Sequence, residues 1–333
     1  MNIESILKAW KKKQFEPVYW LEGEEPYYID QLIEYAEHHI IPEEEAAFNK
    51  TVFYGKDAAW AGIINACMRY PMFGEKQLVI LKEAQHMREI DKLESYIHHP
   101  LASTIFIVGY KEKKIDGRSK FGKYLKDHTV YYSGSKLREQ DLPGWIQGYL
   151  EHKGLQAGSK AIYLLADHIG NDLCRLANEM DKLSVNVGER KMITEDDVEE
   201  YVGISKEYNA FELQHAVGKK QFDKAIRIIQ YFEKNPKAVP IQMLMPALYS
   251  YFSKVYMLFG VNGDDDTIAS ATGINKWFLK EYKQTASIYG YQGIESALLL
   301  LHQYNLYSIG INRAATEDSS LLKELIYKMV VVG

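Results

Sequence analysis

The chain has 333 residues, 47% of them apolar and 26% charged, a composition that belongs to a packed globular protein of two or three domains and excludes a disordered one. A formal net charge of −5 and a pI near 6.1 exclude a strongly basic, free-standing nucleic-acid binder. Two cysteines, Cys67 and Cys174, exclude a disulfide framework and a four-thiolate zinc site, and suit a reducing, cytoplasmic compartment.

Residues 1–17 have no long apolar run and no small-residue cleavage site, which argues against a signal peptide. No apolar run reaches the roughly 18 residues of a membrane span, so no membrane association is expected. From there to about residue 135 two periodicities alternate. Short apolar, β-rich runs are predicted as strands at Val18–Leu21, Thr51–Tyr54, Gln77–Leu81, Thr104–Val108 and Thr129–Tyr132. Helix-period segments lie between them at Pro26–Ile41, Asp57–Arg69, Ile90–His98 and Ser119–Lys126. Strands alternating with helices imply parallel pairing with helices on both faces.

After Leu137 the strand signals stop. Helices are predicted at Asp141–Lys153, Ser159–Ile169, Asp172–Val185 and Thr194–Val202, the last opened by a Thr194 N-cap and acids that suit the helix dipole. Further helices follow at Phe211–Val217, Phe222–Phe232, Ile241–Phe259, Ile294–Ile309 and Ser320–Val331. A break falls at Gly260–Gly263, and Asp264-Asp265-Asp266 opens a new helix. Pro246, inside an apolar helical run, predicts a kink or two helices. The expected joints lie near 135–141 and 203–210, giving domains 1–138, 139–207 and 208–333. Charge follows these blocks: residues 1–140 sum to about −1, 141–210 to about −6 and 211–333 to about +2.

An α/β domain invites a nucleotide search. A phosphate loop after the first strand needs G-x-x-x-x-G-K-[ST], whose backbone amides cradle phosphate and whose lysine reaches the outer oxygens. Here Gly23 is followed by Glu24 and Glu25, which repel polyphosphate, and by Pro26, which has no amide donor. An ATPase third strand ends in an Asp that helps hold Mg²⁺, followed by a Glu base. Lys82 and Glu83 stand in those places, and a cation cannot ligate Mg²⁺. The α/β domain is either a degenerate ATPase fold or one that never had such a site. No cofactor is expected.

Other chemistries are absent too: no G-x-S-x-G elbow, H-E-x-x-H or C-x-x-C occurs. His38-His39 and His98-His99 fall near helix ends and read as solvated histidines, because adjacent side chains diverge on a helix. Glu43-Glu44-Glu45 reads as a solvated turn. The basic run Lys111–Lys123 reads as a solvated loop or as a phosphate or partner contact at a strand end.

One segment suits binding. The helix over Asp57–Arg69 buries Ala58, Ile63, Ile64 and Cys67 on one side and runs into Tyr70-Pro71-Met72-Phe73-Gly74-Glu75-Lys76. Pro71 disfavours helix at Tyr70. Met72 and Phe73 therefore sit at a helix–strand tip bounded by a proline and charges. They form either a compact apolar plug or a cap folded back on the local core.

These residues resemble the delta subunits of bacterial DNA polymerase III, the clamp-opening subunits of the replicative clamp loader. The resemblance is carried by Pro17–Gly23, by Tyr70–Val79, by Gly170-Asn-Asp-Leu173 continuing through Asn178-Glu179 to Lys182-Leu183, and by Ile193–Val198. It implies a RecA-like, AAA+-like parallel sheet domain without ATP-binding residues, followed by two all-α domains, a lid and a collar. It places clamp contact at the tip: Met72 and Phe73 match the hydrophobic pair that wedges into the sliding clamp, flanked by Met68, Tyr70 and Pro71. Met stands where Leu is more usual, a swap of similar volume. The implied partners are the sliding clamp (beta subunit), the loader ATPase subunits (gamma/tau), delta prime and primed DNA within the assembled complex. The implied chain has no catalytic site of its own but is part of the DNA-directed DNA polymerase III holoenzyme. Two rivals are an active ATPase with an unusual site and a non-catalytic AAA+-like assembly adaptor unrelated to replication.

Overall fold

The computed structural model describes residues 2–72, 74–205, 207–235, 241–311 and 318–332. The chain separates into two compact units, Met1–Leu137 and Arg138–Gly333.

The first unit is built on five parallel strands: β1 (Val18–Gly23), β2 (Lys50–Tyr54), β3 (Gln77–Lys82), β4 (Thr104–Lys111) and β5 (Val130–Gly134), in the order β2-β3-β4-β1-β5. All five predicted strands are present, most running one to three residues further. The connecting helices are α1 (Ile3–Lys11), α2 (Pro26–His39), α3 (Glu43–Asn49), α4 (Trp60–Cys67), α5 (Glu94–Ile97) and α6 (Lys120–His128). Strand alternation sorts the core into two layers. Val18, Trp20, Val79, Leu81, Phe106 and Val108 face one side with Ile63, Leu93 and Leu125. Tyr19, Leu21, Leu78, Ile80, Ile105 and Ile107 face the other with Ile6, Ile29 and Leu32. Both layers are apolar, so the strands read as continuous apolar runs. Gly23 (φ +149°) is required where β1 meets β5: a Cβ there would lie 2.2 Å from the Gly134 carbonyl oxygen.

Several expectations change in this unit. The N-terminal segment forms α1, capped by the Asn2 side chain accepting from the Ser5 N–H at 2.9 Å. Trp10 of α1 packs edge-on to Tyr19 with ring centroids 5.1 Å apart. Glu43-Glu44-Glu45 is the first turn of α3, not a free turn, because three acids suit the positive end of a helix. α4 starts at Trp60 rather than Asp57, since the Asp57 and Ala58 amides close a turn on the Tyr54 carbonyl. The predicted helix over Ile90–His98 is a 3₁₀ turn at Ile90–Leu93 followed by α5.

The second unit contains α7 (Leu142–His152), α8 (Ser159–Ile169), α9 (Leu173–Val187), α10 (Glu195–Asp197), α11 (Ala210–Gly218), α12 (Phe222–Lys234), α13 (Ile241–Met257), α14 (Asp265–Thr272), α15 (Leu279–Ser308) and α16 (Asp318–Tyr327). It is not free of strands: Gln156–Ala157 and Met192–Ile193 form a two-residue parallel ladder. That pairing is too short to leave an alternating pattern in sequence. Thr194 and Asp197 cap each other reciprocally, and α10 continues as a π-turn over Val198–Val202. α13 passes through Pro246 as one helix, so the two-helix alternative does not hold. α15 starts well before Ile294 and is broken at Gly290 (φ 66°, ψ 172°). The core of residues 211–330 gathers Phe232, Phe252, Leu301, Tyr304 and Leu325, with Tyr163 of α8 packed against it. Among the described residues no helix is long and apolar enough to cross a membrane.

Candidate functional site

The tip lies between α4 and β3. α4 ends at Cys67 after a last turn closed by the Met68 N–H on the Ile64 carbonyl at 2.9 Å. Its underside holds Ile63, Ala66 and Cys67 in the core, and burial pushes the Cys67 thiol well up from its ordinary pKa. Beyond the helix the apolar residues turn outward. Met68 is 51% exposed, Tyr70 76% and Met72 53%, and Pro71 is half-buried. Phe73 lies outside the described residues. Four of the five predicted contact residues are thus on the page, and three of these are large apolar side chains facing water within five positions.

Two polar side chains hold this segment in place, and sequence reasoning named neither. Asn49, the last residue of α3 and 2% exposed, grips the main chain of Met72 from both sides. The Met72 N–H donates to Asn49 Oδ1 at 2.7 Å, and Asn49 Nδ2 donates to the Met72 carbonyl at 2.6 Å. Glu45 Oε2 accepts from Asn49 Nδ2 at 3.3 Å. The same carboxylate leaves no room for a side chain at Gly74, where a Cβ would fall 2.1 Å from it. The second residue is Gln77, buried at the start of β3. Its Nε2 donates toward the Ala66 (3.2 Å), Cys67 (3.3 Å) and Arg69 (2.5 Å) carbonyls, so it closes the open C-terminus of α4. Thr104, its register partner on β4, donates to the Cys67 carbonyl at 2.8 Å. Polar residues heading two otherwise apolar strands were the available signal.

The C-terminal edge of the sheet, where open α/β sheets bind ligands, is filled by the protein's own charges. Lys82 pairs with Glu37 of α2 at 2.5 Å. Lys111 pairs with Asp30 at 2.8 Å and with Glu83 at 2.5 Å. Burial alone would raise the Glu83 carboxyl, but the Lys111 ammonium holds it below its usual range. Glu22, 1% exposed, accepts from Trp20 Nε1 (3.0 Å) and the Ile115 N–H (3.2 Å), and also from the Tyr131 hydroxyl. Glu25 is spent capping α2, accepting from the Tyr27 N–H at 3.1 Å. Of the basic run, Lys111 is thus turned into the fold rather than solvated, whereas Arg118 and Lys120 have side chains over nine-tenths exposed. His39 stacks on Tyr35 with centroids 4.5 Å apart, and His98 Nδ1 meets the Tyr124 hydroxyl at 2.8 Å.

Residues 19–133 match the family model described as DNA polymerase III, delta subunit. The chain is 26% identical over 251 residues to the DNA polymerase III subunit delta of Bacillus subtilis (strain 168), covering 72% of each chain. It is 24% identical over 309 residues to the probable DNA polymerase III subunit delta of Aquifex aeolicus (strain VF5), covering 88% of this chain and 86% of that one. In structure it resembles the Bacillus subtilis DNA clamp loader delta protein, with a TM-score of 0.53, 22% identity and 99% of both chains covered. That likeness establishes the shared fold: an α/β parallel-sheet domain followed by all-α structure. By sequence the chain is a relative of the DNA polymerase III delta subunits, with the family's signature in residues 19–133.

Proposed function

We propose that this chain is the clamp-opening subunit of a cytoplasmic clamp loader, and that it grips the sliding clamp through Met72 and Phe73, flanked by Met68, Tyr70 and Pro71. The observation that carries this reading is the row of exposed apolar side chains on a backbone pinned by Asn49 and Gln77. A segment ordered before binding loses little conformational entropy on docking, and Met with aromatic neighbours makes an adaptable anchor.

In this reading the chain performs no chemistry. The clamp is a closed ring, and a plug that binds the opened form more tightly shifts the equilibrium toward it. Residues 1–138 would form the AAA+-like domain, 139–207 a lid and 208–333 a collar that joins the gamma/tau ATPase subunits and delta prime. The carboxylates and ion pairs at the sheet edge support assigning nucleotide binding and hydrolysis to those partners. Primed DNA would be met only within the assembly, as the acidic 139–207 block suggests.

The test is a titration of the full chain with the sliding clamp of the same organism. Truncating a central apolar anchor costs on the order of 2 kcal/mol, so Phe73→Ala combined with Met72→Ala should weaken binding at least tenfold. The thermal midpoint should stay close to that of the parent, since Met72 is mostly exposed. Unchanged clamp affinity in the double variant would overturn the assignment. Absence of any clamp binding by the parent chain would favour the adaptor reading.

A further inference from the structure

The second unit contains a cavity of about 400 Å³, within the size range of small-molecule sites. α7, α8, α11, α13 and α15 contribute walls, together with the turns at Glu139 and Gly273. Tyr163, Phe278 and Tyr282 supply an aromatic side, Tyr163 and Phe278 lying edge to face with centroids 4.5 Å apart. Three charged side chains share the space: Glu139, Asp167 and Lys254. Among the described residues none of the three is joined to another side chain by a hydrogen bond or ion pair.

That combination is unusual. A carboxylate among packed walls is ordinarily paired, because losing water without a partner is costly. Here a lysine lines the same cavity and still makes no contact with it. Two carboxylates against one ammonium leave the cavity one charge negative, which selects for a cation. The aromatic side suits the apolar stem and the weakly hydrated face of an organic cation.

We propose that this cavity is a binding site for a small organic cation, an alkylammonium or guanidinium group, held by the Asp167 and Glu139 carboxylates. The group could arrive as a free diamine or as the lysine or arginine side chain of a partner protein. Either occupant would tie residues 139–170 to residues 214–282, the blocks expected from sequence to be lid and collar. The proposal is independent of clamp binding.

The site carries its own pH signature. Burial, and then the Glu139 charge, push the Asp167 carboxyl up to about 6, with Lys254 opposing. Tyr163, Tyr251 and Tyr282 also face the space, and burial raises all three above their ordinary values, so they stay neutral throughout. Asp167 is therefore charged at pH 7.5 and mostly neutral at pH 5, and cation affinity should fall across that interval.

The experiment is calorimetric titration of the full chain with 1,4-diaminobutane, with N-acetyl-lysine amide and with butyrate. Saturable binding of either cation at pH 7.5 is expected, with butyrate inert. Binding of the capped lysine assigns the site to a protein side chain, and binding of the diamine alone assigns it to a free cation. Asp167→Asn should weaken binding at least tenfold while leaving the thermal midpoint equal or higher, since it removes a poorly solvated charge. Lys254→Met should tighten binding. Failure of both cations to saturate, equal binding of butyrate, or indifference to Asp167→Asn would overturn the proposal.

Discussion

Asn49→Ala is the sharpest test of how the tip is held. The substitution removes a pair of hydrogen bonds, at 2.7 and 2.6 Å, between a buried amide and the main chain of Met72. Each such bond contributes about 1 kcal/mol net. Met72 is largely exposed, so its freed amide and carbonyl turn to water and add no large desolvation penalty. The expected loss is roughly 1–2 kcal/mol, concentrated at the tip. Native-state hydrogen exchange reads this directly: the Met72 amide should exchange about tenfold faster or more, since 1.4 kcal/mol is a factor of ten. Amides in the centre of β4 should change only as far as global stability does. Clamp affinity should fall with the loss of order, because docking would then include the cost of fixing the segment. Asn49→Asp keeps an acceptor for the Met72 N–H but sets an oxygen against the Met72 carbonyl, and should be no better than alanine. Met72 exchange within twofold of the parent in Asn49→Ala would refute the pinning argument.

The remaining predictions concern the two units separately. Burial works against ionisation of Glu212, but Lys224 at 2.5 Å and Lys160 at 3.0 Å outweigh it and hold the carboxyl below its usual range. A depressed carboxyl stabilises the fold above its unfolded pKa of about 4.3 and loses that contribution as pH falls through the folded value. Denaturant unfolding should therefore weaken between pH 5 and pH 3, with a shallower slope in Glu212→Gln; identical slopes would contradict the assignment. Cys67, buried and with its thiol pushed up by burial, should react with a disulfide reagent only at the rate at which the first unit opens. Labelling that is insensitive to stabilising salts would show a different route of access.

The strands of the first unit were legible because both sheet faces are covered, leaving runs such as Leu78-Val79-Ile80-Leu81 with no polar interruption. α3 was not: among the residues of Glu43–Asn49 only Asn49 is buried, so no apolar periodicity marks the helix. α1 does have a periodic face, in Ile6 and Trp10, but its lysines and its place at the terminus drew attention to targeting instead. At the tip, exposure of Met72 followed from Pro71 behind it and the charges ahead. The grip of Asn49 did not, because it spans 23 residues and depends on where α3 packs. Gln77 looked like an ordinary strand start until its register with Thr104 placed both beneath the end of α4.

The ion pairs along the sheet edge make that edge mutationally entrenched. Lys82 answers Glu37, and Lys111 answers both Asp30 and Glu83. Exchanging either lysine for an acid would set like charges within a few ångströms of each other, and removing it would leave acids without their counter-charge. Single replacements are therefore penalised where matched ones are tolerated. Change at this edge has to proceed by coordinated steps across α2, β3 and β4, so the edge resists piecemeal drift even where it touches no ligand.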